Sequence, residues 1–261
     1  MDDSPSYAPP LADAPPGFDL AGFEQLARSE EGHFWFEPRN RLLVGLASGS
    51  FPEARRYLEI GCGTGLVLRA MADSRRWLRL AGTELHSAGL RYARDRLGDR
   101  AELVQMDARA IAAREAFDLV GAFDVLEHIS EDEAVMKQVH AALAPGGGFI
   151  VAVPQHPALW GEADEIGHHV RRYRRGELES KLRAGGFDIV FSTSYTVVVL
   201  PLMVANRLRR SRGQARGELN VHPMLNAALR GVLHAEVAVT LKGLSWPIGG
   251  SRVVVARKPL A

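Results

Sequence analysis

Two short stretches hold most of the side chains that could do chemistry. The first, Glu59 to Gly65, sets a carboxylate against Gly61, Gly63 and Gly65, and the second brings Asp124, Glu127 and His128 close together. Glycines at alternate positions remove β-carbons where a backbone must bend tightly and let a ligand approach a helix start. A dinucleotide-binding turn carries its third glycine one position later, where Leu66 stands, and brings a pyrophosphate onto the helix amides. Glu59 would repel that group and suits a ligand that presents an ammonium. An imidazole such as His128, with an ordinary pKa of ~6.5, suits proton abstraction near neutrality. The same Glu127 and His128 could instead cap the turn after a strand and do no chemistry.

These residues must be positioned by strands and helices that the sequence also marks. Tyr57, Leu58 and Ile60 suit a buried strand, and residues 66–74 have helical spacing, so the glycines form a strand-to-helix turn with the small Cys62 packed inside it. A second strand ends at Glu84 and Leu85, at about the twenty-residue distance where an acid reaches ribose hydroxyls. A third ends at Met106, Asp107 and Ala108, an apolar side chain and a carboxylate that could pack on an adenine and accept from its amine. A fourth runs through Phe123 into Asp124. His86 to Leu97 is predicted as the second helix, and Ser130 with Glu133 as a capping box opening a helix to Leu143. Pro145 and Gly146 to Gly148 should stop that helix before a fifth strand over 149–154. The alternation predicts an α/β fold, a doubly wound, Rossmann-like parallel sheet with ligands at the strands' C-terminal ends.

The ordered set EIGCGTG, Glu84, MDA and AFDVLEHI resembles the class I S-adenosylmethionine-dependent methyltransferases of the small-molecule group, over roughly Gly32 to Phe191. The resemblance implies a seven-stranded sheet whose last strand is antiparallel, between the fifth and sixth. It implies S-adenosylmethionine as cofactor, with Glu59, Gly61, Cys62, Gly63 and Gly65 at the methionine portion, Glu84 and Leu85 at the ribose, and Met106, Asp107 and Ala108 at the adenine. Phe123 and Asp124 would close the cofactor edge, and Trp35 and Arg39, before the first strand, would cover it or simply pack the N-terminal helices on the core. For His128 the resemblance points two ways. Sugar-modifying relatives use a histidine after this strand as base, whereas ubiquinone-biosynthesis O-methyltransferases carry a similar ExxEH segment that binds a divalent metal; here the first acid is Asp124. Transfer to oxygen on a sugar, a phenol or quinone precursor or a lipid-linked intermediate is favoured over transfer to an amine. A non-catalytic S-adenosylmethionine-binding relative and a nicotinamide oxidoreductase are the rival classes. The Asn/Asp-Pro-Pro-aromatic segment of DNA amino-methyltransferases is missing, and Cys62 is misplaced for cytosine-C5 chemistry.

The flanks add less. The formal charge of +1 argues against a nucleic-acid binder that relies on bulk charge, and a lone cysteine excludes an internal disulfide. Residues 1–17 are acidic and proline-rich where a signal peptide would be basic and then apolar, which predicts a disordered tail on a cytoplasmic protein. Residues 18–261 read as one domain: an N-terminal helical cover (18–50), an acceptor-side lid (155–175) and an apolar, helical insertion (195–246). In the lid, His168 and Tyr173 are the candidates to line the acceptor side. Arg171, Arg172, Arg174 and Arg175 either neutralise an anionic acceptor or pair with Glu162, Asp164 and Glu165. The apolar run after Tyr195 is shorter than the ~20 residues of a membrane span and is broken by Pro201. Followed by a basic run, it reads as a buried strand and helix start, with a lipid-like acceptor, a bilayer surface or a dimer contact as the alternatives.

Overall fold

The computed structural model describes residues 20–209 and 221–260. The tail over 1–17 and most of the basic run after Arg209 lie outside these.

Seven strands form one sheet in the order β3-β2-β1-β4-β5-β7-β6. They are β1 (Arg56–Ile60), β2 (Arg79–Glu84), β3 (Glu102–Gln105), β4 (Phe117–Phe123), β5 (Leu143–Pro154), β6 (Asp188–Tyr195) and β7 (Ser251–Arg257). β1 to β5 pair in parallel, and β7 runs antiparallel to both β5 and β6. The side-chain period of two divides each strand between two apolar layers. Tyr57, Leu119, Phe123, Ile150 and Ala152 face one layer with Leu42, Leu68, Met71 and Leu233. Leu58, Ile60, Val120, Ala122 and Val151 face the other with Val135, Met136 and Leu182.

The first layer is roofed by α2 (Phe36–Ser50), α3 (Leu66–Ser74), α4 (Ser87–Leu97) and α9 (Pro223–Thr240), the second by α5 (Asp132–Ala142) and α7 (Glu177–Ala184). α2 buries Phe36, Leu42, Leu43, Leu46 and Ala47 at helical spacing, with Pro38 in its first turn. Each buried leucine is worth roughly 1.5–3 kcal/mol, so this stripe anchors the N-terminal cover to the core. α1 (Leu20–Ser29), α6 (Glu162–Ile166) and α8 (Leu200–Arg209) complete the described α-helices, beside three short 3-10 turns.

Two local expectations are corrected. Ser130 and Glu133 make no capping box: α5 begins at Asp132, whose own carboxylate accepts the Glu133 N–H at 2.9 Å. The Pro145–Gly148 segment belongs to β5, where the pairing with β4 shifts between Phe117 and Leu119. The apolar run after Tyr195 is only half buried, for Val199 lies in the core while Val198 and Leu202 are exposed. No helix among the described residues is long and apolar enough to cross a membrane.

Candidate active site

β1 and β4 are neighbours, yet α3 and α5, which follow them, lie on opposite faces of the sheet. Such a switch point opens a crevice at the strands' C-terminal ends. Gly61, Gly63 and Gly65 turn there with φ of 62°, 53° and 77°. A β-carbon on Gly61 would come within 2.5 Å of Val125 Cγ2, whereas one on Gly63 would meet nothing within 4 Å. The turn is therefore packed on one side and open on the other. Cys62 is buried, and burial raises its thiol pKa, so it is a packed side chain and no nucleophile.

Glu59 shares a strand face with Tyr57, whose hydroxyl donates to it at 3.1 Å. Burial pushes its carboxyl up to about 8, against the opposing effects of that hydrogen bond and of the Arg39 charge. Glu84 accepts from the Gly63 N–H and the His86 N–H, each at 3.0 Å, so the carboxyl at the end of β2 also braces the open corner of the turn. Burial pushes the Glu84 carboxyl up as well. The Leu85 carbonyl takes the Gln105 amide at 2.9 Å. Met106 is half-buried and Ala108 packs into the core. Asp107 is already engaged: Arg109 donates to it at 2.7 and 3.1 Å and holds its carboxyl below the usual range.

The N-terminal cover reaches this crevice at two places. Arg39 on α2 pairs with Asp124 at the end of β4, its guanidinium lying 4.3 Å from the centre of the Trp35 ring. Asp124 takes a positive φ of 56° there, and the Tyr195 hydroxyl fixes the Trp35 carbonyl at 3.0 Å. Below α1, Glu30 receives the Thr64 hydroxyl at 2.7 Å and Arg96 Nη1 at 2.9 Å. That buried triad ties α1 to the glycine turn and to α4, and the sequence reading missed it.

The acceptor side differs most from expectation. Glu127 is wholly buried, and neither carboxylate oxygen has a hydrogen-bond partner. Burial, with Asp124 nearby, raises its pKa well above the carboxylate range. The His128 ring meets the His169 ring edge-on at 4.7 Å, and burial pushes His128 down to about 4. His169 Nδ1 lies 2.9 Å from Asp164 Oδ1. Burial would raise Asp164, but the hydrogen bonds from His169 and Arg172 outweigh it and hold Asp164 at about 2. Thus His169, not the expected His168, joins this cluster; His168 is exposed, at φ 54°.

Tyr173 is likewise withdrawn from the acceptor side, being wholly buried with its hydroxyl on Asp132 at 2.7 Å. Arg171 and Arg172 pair with Asp132 and Asp164, so neither stands ready for an anionic acceptor. The metal set implied by the ExxEH resemblance, Asp124 with Glu127 and His128, is not assembled, because Asp124 is held by Arg39.

Known proteins resemble this chain in sequence and fold. A family profile described as a methyltransferase domain covers residues 27–191, more than half of the chain. A probable S-adenosylmethionine-dependent methyltransferase of Mycolicibacterium smegmatis is 27% identical over 184 residues, 67% of each chain. The ubiquinone biosynthesis O-methyltransferase of Ralstonia nicotianae is 30% identical over 151 residues, 52% of this chain and 60% of that protein. A trans-aconitate 2-methyltransferase of Variovorax paradoxus is 32% identical over 112 residues, 42% of this chain and 43% of that protein. The chain thus spans about two thirds or less of these relatives' lengths. Among solved structures, the Haemonchus contortus phosphoethanolamine N-methyltransferase 2 complex with S-adenosyl-L-methionine superposes with a TM-score of 0.62 at 20% identity, covering 92% of this chain and 57% of that one. The [4+2]-cyclase SpnF gives 0.59 at 22% identity, covering 87% and 83%. At these identities the structural likeness is one of fold, while the family profile carries the assignment. This chain belongs to the class I S-adenosylmethionine-dependent methyltransferases.

Proposed function

We propose that the enzyme methylates a hydroxyl of a small molecule. One observation carries this reading: His128 and His169 meet beside the buried Glu127 just past the end of β4. A hydroxyl must lose its proton as it attacks the methyl carbon, whereas a neutral amine already presents its lone pair. An amine sheds its proton before attack, whereas a hydroxyl sheds it during attack, so the cluster suits a hydroxyl better. When bound, S-adenosylmethionine would supply an electrophilic methyl, so that an attacking hydroxyl would form the oxygen–carbon bond as the sulfur–carbon bond breaks and would give up its proton beside His128 and His169.

The remaining residues fit the cofactor by their chemistry. The open backbone at Gly63 admits it, Glu84 stands where a ribose would present its hydroxyls, and Glu59 offers a buried carboxyl to an ammonium. Arg39 and Trp35 close over the edge. Because the leaving group becomes a neutral thioether, alignment and exclusion of water are the protein's main contributions.

The test is methyl transfer from labelled S-adenosylmethionine to a panel of phenols, hydroxy acids, sugars and primary amines, with the methylated atom assigned by NMR. Methyl ethers formed in preference to methylamines or methyl esters support the proposal. Selective methylation of amines would overturn it.

A further inference from the structure

Among the described residues one group of side chains gathers metal-ligand atoms, and it is not the set the sequence suggested. Glu127, His128 and His169 each offer one ligand atom, and these lie within 4.8 Å of one another. Asp124 is excluded by its pairing with Arg39.

Three further observations point to a ligand. A buried carboxylate with no hydrogen-bond partner on either oxygen is costly, and Glu127 is such a group. Arg39 and Arg172 favour its charge only from a distance, and each is committed to another acid. His169 has its Nδ1 on Asp164, which fixes the ring and leaves Nε2 as the nitrogen for a metal. Asp164 is in turn held by Arg172 Nε at 2.6 Å and the Gly161 N–H at 2.8 Å. A carboxylate behind a histidine is the usual outer support of a metal-bound imidazole. The Val170 N–H donates to the Glu127 carbonyl at 2.8 Å, which holds the loop carrying His169 against the turn carrying Glu127.

We propose that Glu127, His128 and His169 form a site for a divalent cation of the zinc, cobalt or nickel type. Two imidazole nitrogens and one carboxylate oxygen suit these borderline ions, whereas magnesium favours an all-oxygen, largely hydrated shell. Three protein ligands leave a position open. An acceptor hydroxyl bound there would lose its proton more readily, a role that rests on the oxygen-acceptor reading above. Cation binding itself does not depend on that reading.

The test uses the full-length protein stripped with a chelator, without cofactor or acceptor, titrated with zinc, cobalt and magnesium against a chromophoric indicator. One equivalent of zinc should bind more tightly than magnesium, and cobalt should give visible ligand-field bands. His128→Ala and His169→Ala should each cost at least as much affinity as Asp164→Asn, for which roughly 10- to 100-fold is expected. Asp124→Asn should change zinc affinity far less than either histidine substitution. Failure of the folded wild type to bind zinc overturns the proposal. So does zinc binding that survives both histidine substitutions or disappears with Asp124→Asn. Circular dichroism and the thermal unfolding midpoint of each variant serve as the check of folding. A wild type that binds zinc yet methylates only amines would sink the oxygen-acceptor reading and leave the metal site standing.

Discussion

Arg39 of α2 is ion-paired with Asp124 at the end of β4, joining the N-terminal cover to the C-terminal edge of the sheet. The pair is charged, partly buried and backed by the Trp35 ring, so it behaves as a latch whose two halves come from distant parts of the chain. Asp124 takes this position with its backbone at a positive φ of 56°, and the short 3-10 turn Leu126–His128 follows it.

Breaking the latch should loosen the cover. Arg39→Met keeps the aliphatic bulk against Trp35 and removes the charge, and a charge-assisted hydrogen bond is worth about 1.5–3 kcal/mol when buried, less here because Asp124 is partly exposed. The midpoint of urea unfolding should fall, and Trp35 should become more accessible to a fluorescence quencher. Unchanged quenching would show that the pair does not hold the cover closed.

The buried Glu30–Thr64–Arg96 triad should be more sensitive. Removing one partner of a buried ion pair leaves an uncompensated charge, at a cost of about 3–5 kcal/mol. Arg96→Met strands Glu30 beneath α1 and should cost stability of that order, whereas the double change Arg96→Met with Glu30→Met should recover much of it. Equal destabilisation in single and double variants would refute the account of this triad.

Glu59 makes the cofactor-free protein pH-sensitive. Its carboxyl titrates near 8 in the fold, well above its ordinary value, because it is buried. Below the ordinary carboxylate range it is protonated in both folded and unfolded states. Between that range and about 8 only the folded state keeps the proton, so stability declines as pH rises across this window, by at most about 1.4 kcal/mol per pH unit. Glu59→Gln should flatten that slope. If a cofactor ammonium sits on Glu59, binding at neutral pH also expels its proton. Calorimetric enthalpies of S-adenosylmethionine binding should then differ between buffers of different ionisation enthalpy, and identical values would remove Glu59 from the ammonium role.

The sheet and glycine turn were legible because their signals are local. Near-continuous apolar runs mark β1, β4 and β5, and glycines at every second position admit few conformations other than a tight turn. The acceptor side and Asp107 were not legible, because each depends on which neighbour captures a side chain. Adjacent His168 and His169 look alike on paper. In the structure His168 takes φ 54° and turns outward, while Asp164 captures His169. Tyr173 faces inward because Asp132 accepts its hydroxyl, and Asp107 is taken by Arg109 two residues on. Glu127 could be read as an acid but not as an orphaned one, since the lack of partners is a property of packing alone.

The central claim is that the site has two separable halves, a cofactor half built on Glu84 and the glycine turn and an acceptor half built on His128 and His169. The most direct measurement is a calorimetric titration of wild type, Glu84→Ala and His169→Ala with S-adenosylhomocysteine. The account predicts that binding is lost in Glu84→Ala, which removes the carboxyl that braces Gly63, and kept at wild-type strength in His169→Ala. Wild-type affinity in Glu84→Ala, or equal losses in the two variants, would contradict it.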